Sequence, residues 1–287
     1  MKTLYVTDLD GTLLNARSRI SPYSLAVIHS LIKKGMLFTY ATARSLSSSL
    51  VVTDGLSIDI PVIVYNGALI INPSTNEILS SVVFSKEEAD EVMDALKKYD
   101  ISPLVYSYIG GVEKVSWVKG RENEGMKHYL KLREGDRRLR ALENSDSLFL
   151  GNMFYFTCIG EKEELLPLYD VFSKKEQYNC ILQQELYRTE YWCEIMPKRA
   201  TKAEAIVTLK ELCGCERVIS FGDAVNDIPM FQISDECYAV SNAVGALKDV
   251  ATGVIGSNTE DGVAKWLQEH ADTGFAFGES DERPVFI

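Results

Sequence analysis

Three absences narrow the reading of this 287-residue chain. No apolar run approaches the roughly 18 residues that a membrane-spanning helix needs, so a membrane is not an expected partner. The short stretch Leu4-Tyr5-Val6 is cut off at Asp8, which does not read as a signal peptide. Histidine is scarce: His29, His128 and His270 are far apart, and the six cysteines, Cys158, Cys180, Cys193, Cys213, Cys215 and Cys237, show no paired CxxC spacing. A zinc site is therefore not expected, and reduced thiols in a cytoplasmic protein is the better reading. An excess of cations is missing too. The formal net charge is −11, which repels nucleic acid and anionic lipid and excludes both as expected partners. An anionic ligand would need a local cation, either a metal ion or a well-placed Lys or Arg.

What is present is enough apolar material, 46% of residues, for one or two domains with a sizeable core. Several short apolar runs stop at a polar residue: 4–6 before Asp8, 37–41 before Thr42, 62–65 before Asn66, 218–221 before Gly222-Asp223, and 238–240 before Ser241-Asn242. Runs of this kind read as buried parallel strands. Between them, Ser21-Pro22 starts and Gly35 stops a helix over 22–34, while Thr201 with Glu204 forms a capping box for a helix that ends at Gly214. Alternating strand and helix indicates an α/β fold with a doubly wound, Rossmann-like parallel sheet. Ligands bind outside the carboxyl ends of such strands, where these polar residues would gather.

The middle of the chain follows another pattern. Ser85 and Glu88 form a capping box, Gly110-Gly111 separates strand-like runs at 103–108 and 112–118, and 119–146 reads as helix and loop. A strand over 153–158, a helix over 161–175 and strands over 179–184 and 189–195 complete an α+β module. The expected organisation is a discontinuous core, 1–82 and 196–287, with an inserted domain over 83–195. The sequence does not decide whether the tail over 272–287 docks.

The chemistry-bearing residues sit at the expected strand ends. Asp8 and Asp10, in Asp8-Leu9-Asp10-Gly11-Thr12, are paired carboxylates where Gly11 permits a sharp turn. Alone they balance evenly against a solvated acidic turn. Gly222-Asp223-Ala224-Val225-Asn226-Asp227 is a second acidic motif after a buried strand. Carboxylates brought to one crevice raise each other's pKa; a divalent cation relieves this, and hard oxygen ligands suit Mg2+. Thr42 offers a hydroxyl at a strand end, unless it is an ordinary helix N-cap. Lys202 stands in the first turn of a helix, where the macrodipole disfavours a cation, a weak sign of an anionic neighbour.

With these motifs in hand, the chain resembles the haloacid dehalogenase-like phosphatase superfamily, and within it the Cof-type subfamily with an inserted α/β cap. Val64-Tyr65-Asn66-Gly67-Ala68 and Glu260-Asp261-Gly262-Val263-Ala264 also resemble subfamily motifs. The resemblance covers the core by motif and the cap only by position and size. It implies a magnesium-dependent phosphatase for small phosphorylated metabolites, sugar phosphates foremost. Asp8 would be the nucleophile that forms an aspartyl-phosphate, and Asp10 the acid and base. Mg2+ would be held by Asp8, the Asp10 carbonyl and Asp223, with Asp227 binding directly or through water. Thr42 and Lys202 would bind phosphoryl oxygens, Asn226 would orient the acidic loop or Lys202, and Asn66 and Gly67 would border the phosphate or the passage to the cap. Arg44 would contact substrate or pair with an acidic neighbour. The family usually has glycine where this chain has Ala43, whose methyl could crowd the phosphate or restrict φ. The cap would close over the site and select the leaving group; Trp117, Tyr155, Tyr187 and Arg188 are candidates to face it, although each aromatic reads first as packing. A phosphomutase or phosphotransferase using the same intermediate and a non-catalytic binding protein are the alternatives, the last disfavoured by the intact set of Asp8, Asp10, Thr42, Lys202, Asp223 and Asp227. Monomer and homodimer both stay open.

Overall fold

Every residue of β1 (Thr3–Thr7) is buried, as a strand covered on both faces requires. After the turn at Leu9–Leu13 comes α1 (Pro22–Lys33), capped by the Ser21 side chain and started by a proline that needs no hydrogen bond there. Gly35 follows with φ +97°, the left-handed residue expected after a helix. Then come β2 (Leu37–Tyr40), α2 (Leu46–Val52), β3 (Val62–Val64), β4 (Leu69–Ile71) and β5 (Ile78–Ser81). Here the structure departs from expectation. The run at 62–65 meets the parallel sheet through one parallel bridge, between Ala41 and Ile63, and β3 pairs antiparallel with β4, and β4 with β5. Strands as short as β4 and β5 carry too few residues to show a period.

The computed structural model describes residues 1–184 and 188–271, so Tyr187 and the 272–287 tail lie outside the described residues. The chain divides into two compact units: Met1–Ser81 with the segment from Thr201 onward, and Val82–Ala200.

The second unit contains α3 (Lys86–Lys98), β6 (Leu104–Ile109), β7 (Val112–Val118), α4 (Glu124–Lys131), β8 (Leu139–Leu142), β9 (Asn152–Gly160), α5 (Lys162–Phe172), β10 (Tyr178–Gln184) and β11 (Tyr191–Pro197). Both halves of the Ser85–Glu88 capping box form, and Gly110 and Gly111 turn the β6–β7 hairpin at positive φ. The strands form one sheet in the order β10-β11-β9-β6-β7-β8. Its core packs Phe84, Val92, Leu96, Phe156, Leu168 and Phe172 together. β8 was not expected: Leu139-Arg140-Ala141-Leu142 is short and charged, and it pairs as an edge strand, parallel to β7. Trp117 and Tyr155 are buried in this unit, and the Trp117 indole donates to Glu122 at 2.8 Å.

The first unit resumes with α6 (Lys202–Leu212), β12 (Arg217–Gly222), α7 (Ile228–Ile233), β13 (Glu236–Val240), α8 (Gly245–Lys248), β14 (Gly253–Ile255) and α9 (Gly262–His270). Its parallel sheet runs β14-β13-β12-β1-β2. Thr3 pairs with Arg217 and Thr7 with Phe221, so the two strands that precede the acidic motifs end side by side. All six cysteines are free thiols. Among the described residues no helix is long and apolar enough to cross a membrane.

Candidate active site

The paired ends of β1 and β12 bring the two acidic motifs together. The Asp8 amide extends the ladder by donating to the Phe221 carbonyl at 2.9 Å. The chain then turns at Gly11, whose φ is +78°, and a Cβ there would stand 2.3 Å from Asp223 Oδ2. Glycine is needed both for the turn and for the close approach of the carboxylate. Thr12 Oγ1 donates to Asp223 Oδ1 at 3.0 Å. Asn242 Nδ2 donates to the Gly11 carbonyl at 2.8 Å, and Asn258 Nδ2 to the Leu14 carbonyl at 2.8 Å, which holds the turn from outside. Thr12 lay inside a recognised motif; Asn258 carried no local signal.

Asp227 folds back on its own loop. Its Oδ2 accepts from the amides of Asp223 at 3.0 Å and Ala224 at 3.1 Å, and its Oδ1 from Lys202 Nζ at 2.7 Å. A Cβ on Gly222 would lie 2.8 Å from the Asp227 Cβ, so glycine again permits the fold. The orienting contacts expected of Asn226 are thus made by Asp227, and Asn226 is exposed.

Lys202 Nζ also donates to Asp8 Oδ1 at 2.5 Å. The lysine is buried, and both its carboxylate partners are buried with it. Its backbone is seated by an unusual corner. Tyr65, Asn66 and Gly67 take φ values of +52°, +54° and +99°, and a Cβ on Gly67 would stand 2.0 Å from the Thr201 carbonyl oxygen. Two left-handed non-glycine residues in a row carry strain that the surroundings must hold. Their placement brings the start of α6 against the strand ends, so Gly67 has a packing task beside Thr201. Asn66 Oδ1 is buried with no partner among the described residues.

Thr42 is fully buried and does not cap a helix, because α2 starts later with Ser45 as its cap. Instead Thr42 Oγ1 accepts from the Arg44 amide at 3.2 Å, and its carbonyl from the Asn66 amide at 2.9 Å. Ala43 is exposed and has no positive φ, so its methyl brings neither backbone strain nor a clash within the turn. Arg44 pairs with an acidic neighbour: Nε and Nη2 grip the two oxygens of Asp10 at 2.7 and 2.6 Å, while Nη1 donates to Ser48 at 3.1 Å.

Ligand oxygens of Asp8, Asp223 and Asp227 lie within 4.8 Å of one another. Burial pushes the Asp8 carboxyl up to about 7; Lys202 opposes the rise, and Asp227 and Asp223 add to it. Burial likewise lifts Asp223 to about 6, with Asp227 adding and Thr12 opposing. Burial disfavours the Lys202 ammonium, yet the charges of Asp8 and Asp227 hold its pKa above the ordinary lysine value. Asp8 Oδ2 and Asp223 Oδ2 accept no hydrogen bond among the described residues. The crevice therefore presents free hard oxygens, crowded negative charge and one fixed cation.

Comparison with known proteins gives the family. A 5-amino-6-(5-phospho-D-ribitylamino)uracil phosphatase of Bacillus subtilis, YwtE, is 27% identical, over 91% of this chain and 96% of its own. An HMP-PP phosphatase of Serratia proteamaculans is also 27% identical, over 93% and 95%. The crystal structure of TM0651 from Thermotoga maritima superposes with a TM-score of 0.77 at 26% identity, covering 94% of this chain and 98% of that one. The family of haloacid dehalogenase-like hydrolases matches residues 5–267, the span that contains both acidic motifs and the lysine between them. On the match and the shared architecture together, the chain belongs to the haloacid dehalogenase-like hydrolase family.

Proposed function

We propose that this chain is a magnesium-dependent phosphatase for small phosphorylated metabolites, sugar phosphates among them, acting through an aspartyl-phosphate on Asp8. The observation that carries the reading is the buried contact of Asp8 with Lys202, beside Asp223 and Asp227. Relatives named as phosphatases support the reaction class.

The donor set fits magnesium: Asp8 and Asp223 each keep one carboxylate oxygen, Oδ2, free of donors among the described residues, and the Asp10 carbonyl belongs to the turn that follows Asp8. Asp8, Asp223 and that carbonyl would hold the ion, with Asp227 reaching it through water because its own oxygens are engaged. When bound, the ion would neutralise the crowded carboxylates and the phosphoryl oxygens.

The remaining work falls to side chains. The Asp8 carboxylate attacks phosphorus, the bond to the leaving alcohol breaks, and Asp10 supplies the proton that the alcohol takes. Asp10 then accepts a proton from the water that attacks the aspartyl-phosphate, releasing inorganic phosphate and restoring Asp8. To do either, Asp10 must free an oxygen from Arg44. Lys202 aligns Asp8 and faces the phosphoryl charge, while the Thr42 hydroxyl and the Asn66 amide serve as polar contacts at neighbouring strand ends.

Phosphate release from p-nitrophenyl phosphate with magnesium tests the proposal. Asp8→Asn is expected to lower kcat by at least about 10⁴-fold. Undiminished turnover in Asp8→Asn would overturn the covalent route, and phosphate release without any phosphorylated acceptor separates a hydrolase from a mutase.

A further inference from the structure

The inserted unit contains a cavity of about 430 Å³ that the reaction above does not use. It opens to the surface, and its volume lies in the range of small-molecule pockets. One wall is aromatic: Tyr129 of α4 and Trp192 of β11 meet edge to face with ring centroids 5.5 Å apart. Other lining residues carry charge. The Arg133 guanidinium lies 3.7 Å from the centre of the Tyr129 ring and donates to the Tyr129 carbonyl at 3.3 Å, which fixes its plane. Arg188 grips Glu190 with two nitrogens.

The sign of the charge is unusual for this protein. The chain as a whole carries −11, yet residues 127–140, which supply His128, Tyr129 and Arg133, contain six Lys or Arg against Glu134 and Asp136. Such a local reversal concentrates anions on an otherwise repelling surface. Flat aromatic walls select flat ligands, and a guanidinium already stacked and hydrogen-bonded meets a carboxylate or phosphate with little further loss of freedom.

We infer that this cavity is a binding site for a planar aromatic or heteroaromatic anion, stacked against Trp192 and paired with Arg133, which Tyr129 holds in place. Two sources share that chemistry, the leaving group of the enzyme's own substrate and a separate effector. The site rests on residues of the inserted unit alone and stands or falls independently of the aspartyl-phosphate reading.

Orotate, a planar pyrimidine carboxylate with no ester to hydrolyse, is a suitable probe, with uracil as the neutral planar control and acetate as the non-planar anion. Calorimetric titration of the full chain is expected to show saturable orotate binding at least tenfold tighter than either control. Arg133→Gln and Trp192→Leu are each expected to weaken it tenfold or more, while thermal melting verifies that both variants fold and Asp8→Asn leaves the affinity unchanged. Orotate binding no tighter than uracil and acetate, or binding untouched by both cavity variants, overturns the inference. Competitive inhibition of p-nitrophenyl phosphate hydrolysis by orotate would assign the occupant to the leaving group; binding without competition would assign it to an effector.

Discussion

The two units treat charge in opposite ways. The first unit gathers Asp8, Asp223 and Asp227 at adjoining strand ends and places Lys202 among them, with the lysine and its two partners buried. The second unit sets many of its cations at the surface instead, in exposed pairs such as Lys127 with Glu124 and Lys119 with Glu143. The difference teaches where charge can do chemistry. A buried charge is held in place by partners it cannot exchange for water, so its position is fixed and its removal is expensive. A surface pair is nearly indifferent to being made or broken.

The largest effect should therefore come from the buried lysine. Lys202→Met removes one cation and leaves two carboxylates buried and uncompensated, a change expected to cost about 3–5 kcal/mol of stability. Denaturant unfolding of the metal-free protein measures it. A loss below 1 kcal/mol, at the level of surface pairs, would show that the crevice is wetter than its burial indicates and would erase the contrast between the units.

Next is the response to pH and metal. Asp8 and Asp223 have pKa values raised to about 7 and about 6. A carboxyl raised on folding binds more protons in the native state than in the unfolded one. It adds stability below its unfolded pKa and loses that contribution as pH rises through its folded value. The metal-free protein is thus expected to lose stability, from this crevice, between the ordinary carboxylate range and about pH 7. Magnesium should reduce that loss by favouring the ionised forms. Melting curves across this window, with and without the ion, test it, and Asp223→Asn should flatten both the pH slope and the magnesium shift. An unchanged slope in that variant would remove the acidic crevice as the cause.

The inserted unit supplies the intermediate case. Arg138 is mostly buried and contacts Glu113 at 2.7 Å and Asp136 at 2.6 Å. Arg138→Gln is expected to cost about 1–3 kcal/mol, the range for hydrogen bonds to charged groups, with no change in kcat at saturating p-nitrophenyl phosphate. A kcat loss comparable to that of Lys202→Met would show that the second unit's cations share in the chemistry.

The same difference explains what could be read in the sequence. In the first unit the site was legible because chemistry and backbone geometry leave joint marks: a carboxylate pair followed by Gly11, and Gly222 before Asp223 and Asp227, at the ends of apolar runs. The tasks of those residues were less legible. Asp227 took the orienting contacts expected of Asn226, because a four-residue reach back to the loop amides depends on the helical turn at 225–227. Gly67 proved to be a packing position, which no local pattern reveals, since the Thr201 carbonyl it meets is 134 residues away in sequence. In the second unit the α and β elements were largely legible from period and capping, but β8 was not, being a charged edge strand. Nor was the aromatic cavity, whose walls come from α4 and β11: β11 pairs with β9, and α4 packs against β9.

The smallest effect on stability is expected at Arg44, which belongs to the first unit but behaves like the charges of the second. Its pair with Asp10 is bidentate, yet the Asp10 side chain is 51% exposed, so the pair competes with water. The hydrogen bond to Asp10 raises the Arg44 pKa despite partial burial, and the guanidinium stays charged throughout. Arg44→Gln should cost no more than about 1 kcal/mol. Its kinetic effect is the informative one. If Arg44 only steers Asp10, kcat for p-nitrophenyl phosphate should fall while KM holds, because proton delivery is disturbed and phosphate binding is not. If the guanidinium instead leaves Asp10 to bind the phosphoryl group, KM should rise as well. A rise in KM alone would detach Arg44 from Asp10 altogether and make it a substrate contact. A stability loss of 3 kcal/mol or more would place it with Lys202 among the buried charges, and the division of charge would then run between positions in one crevice rather than between the two units.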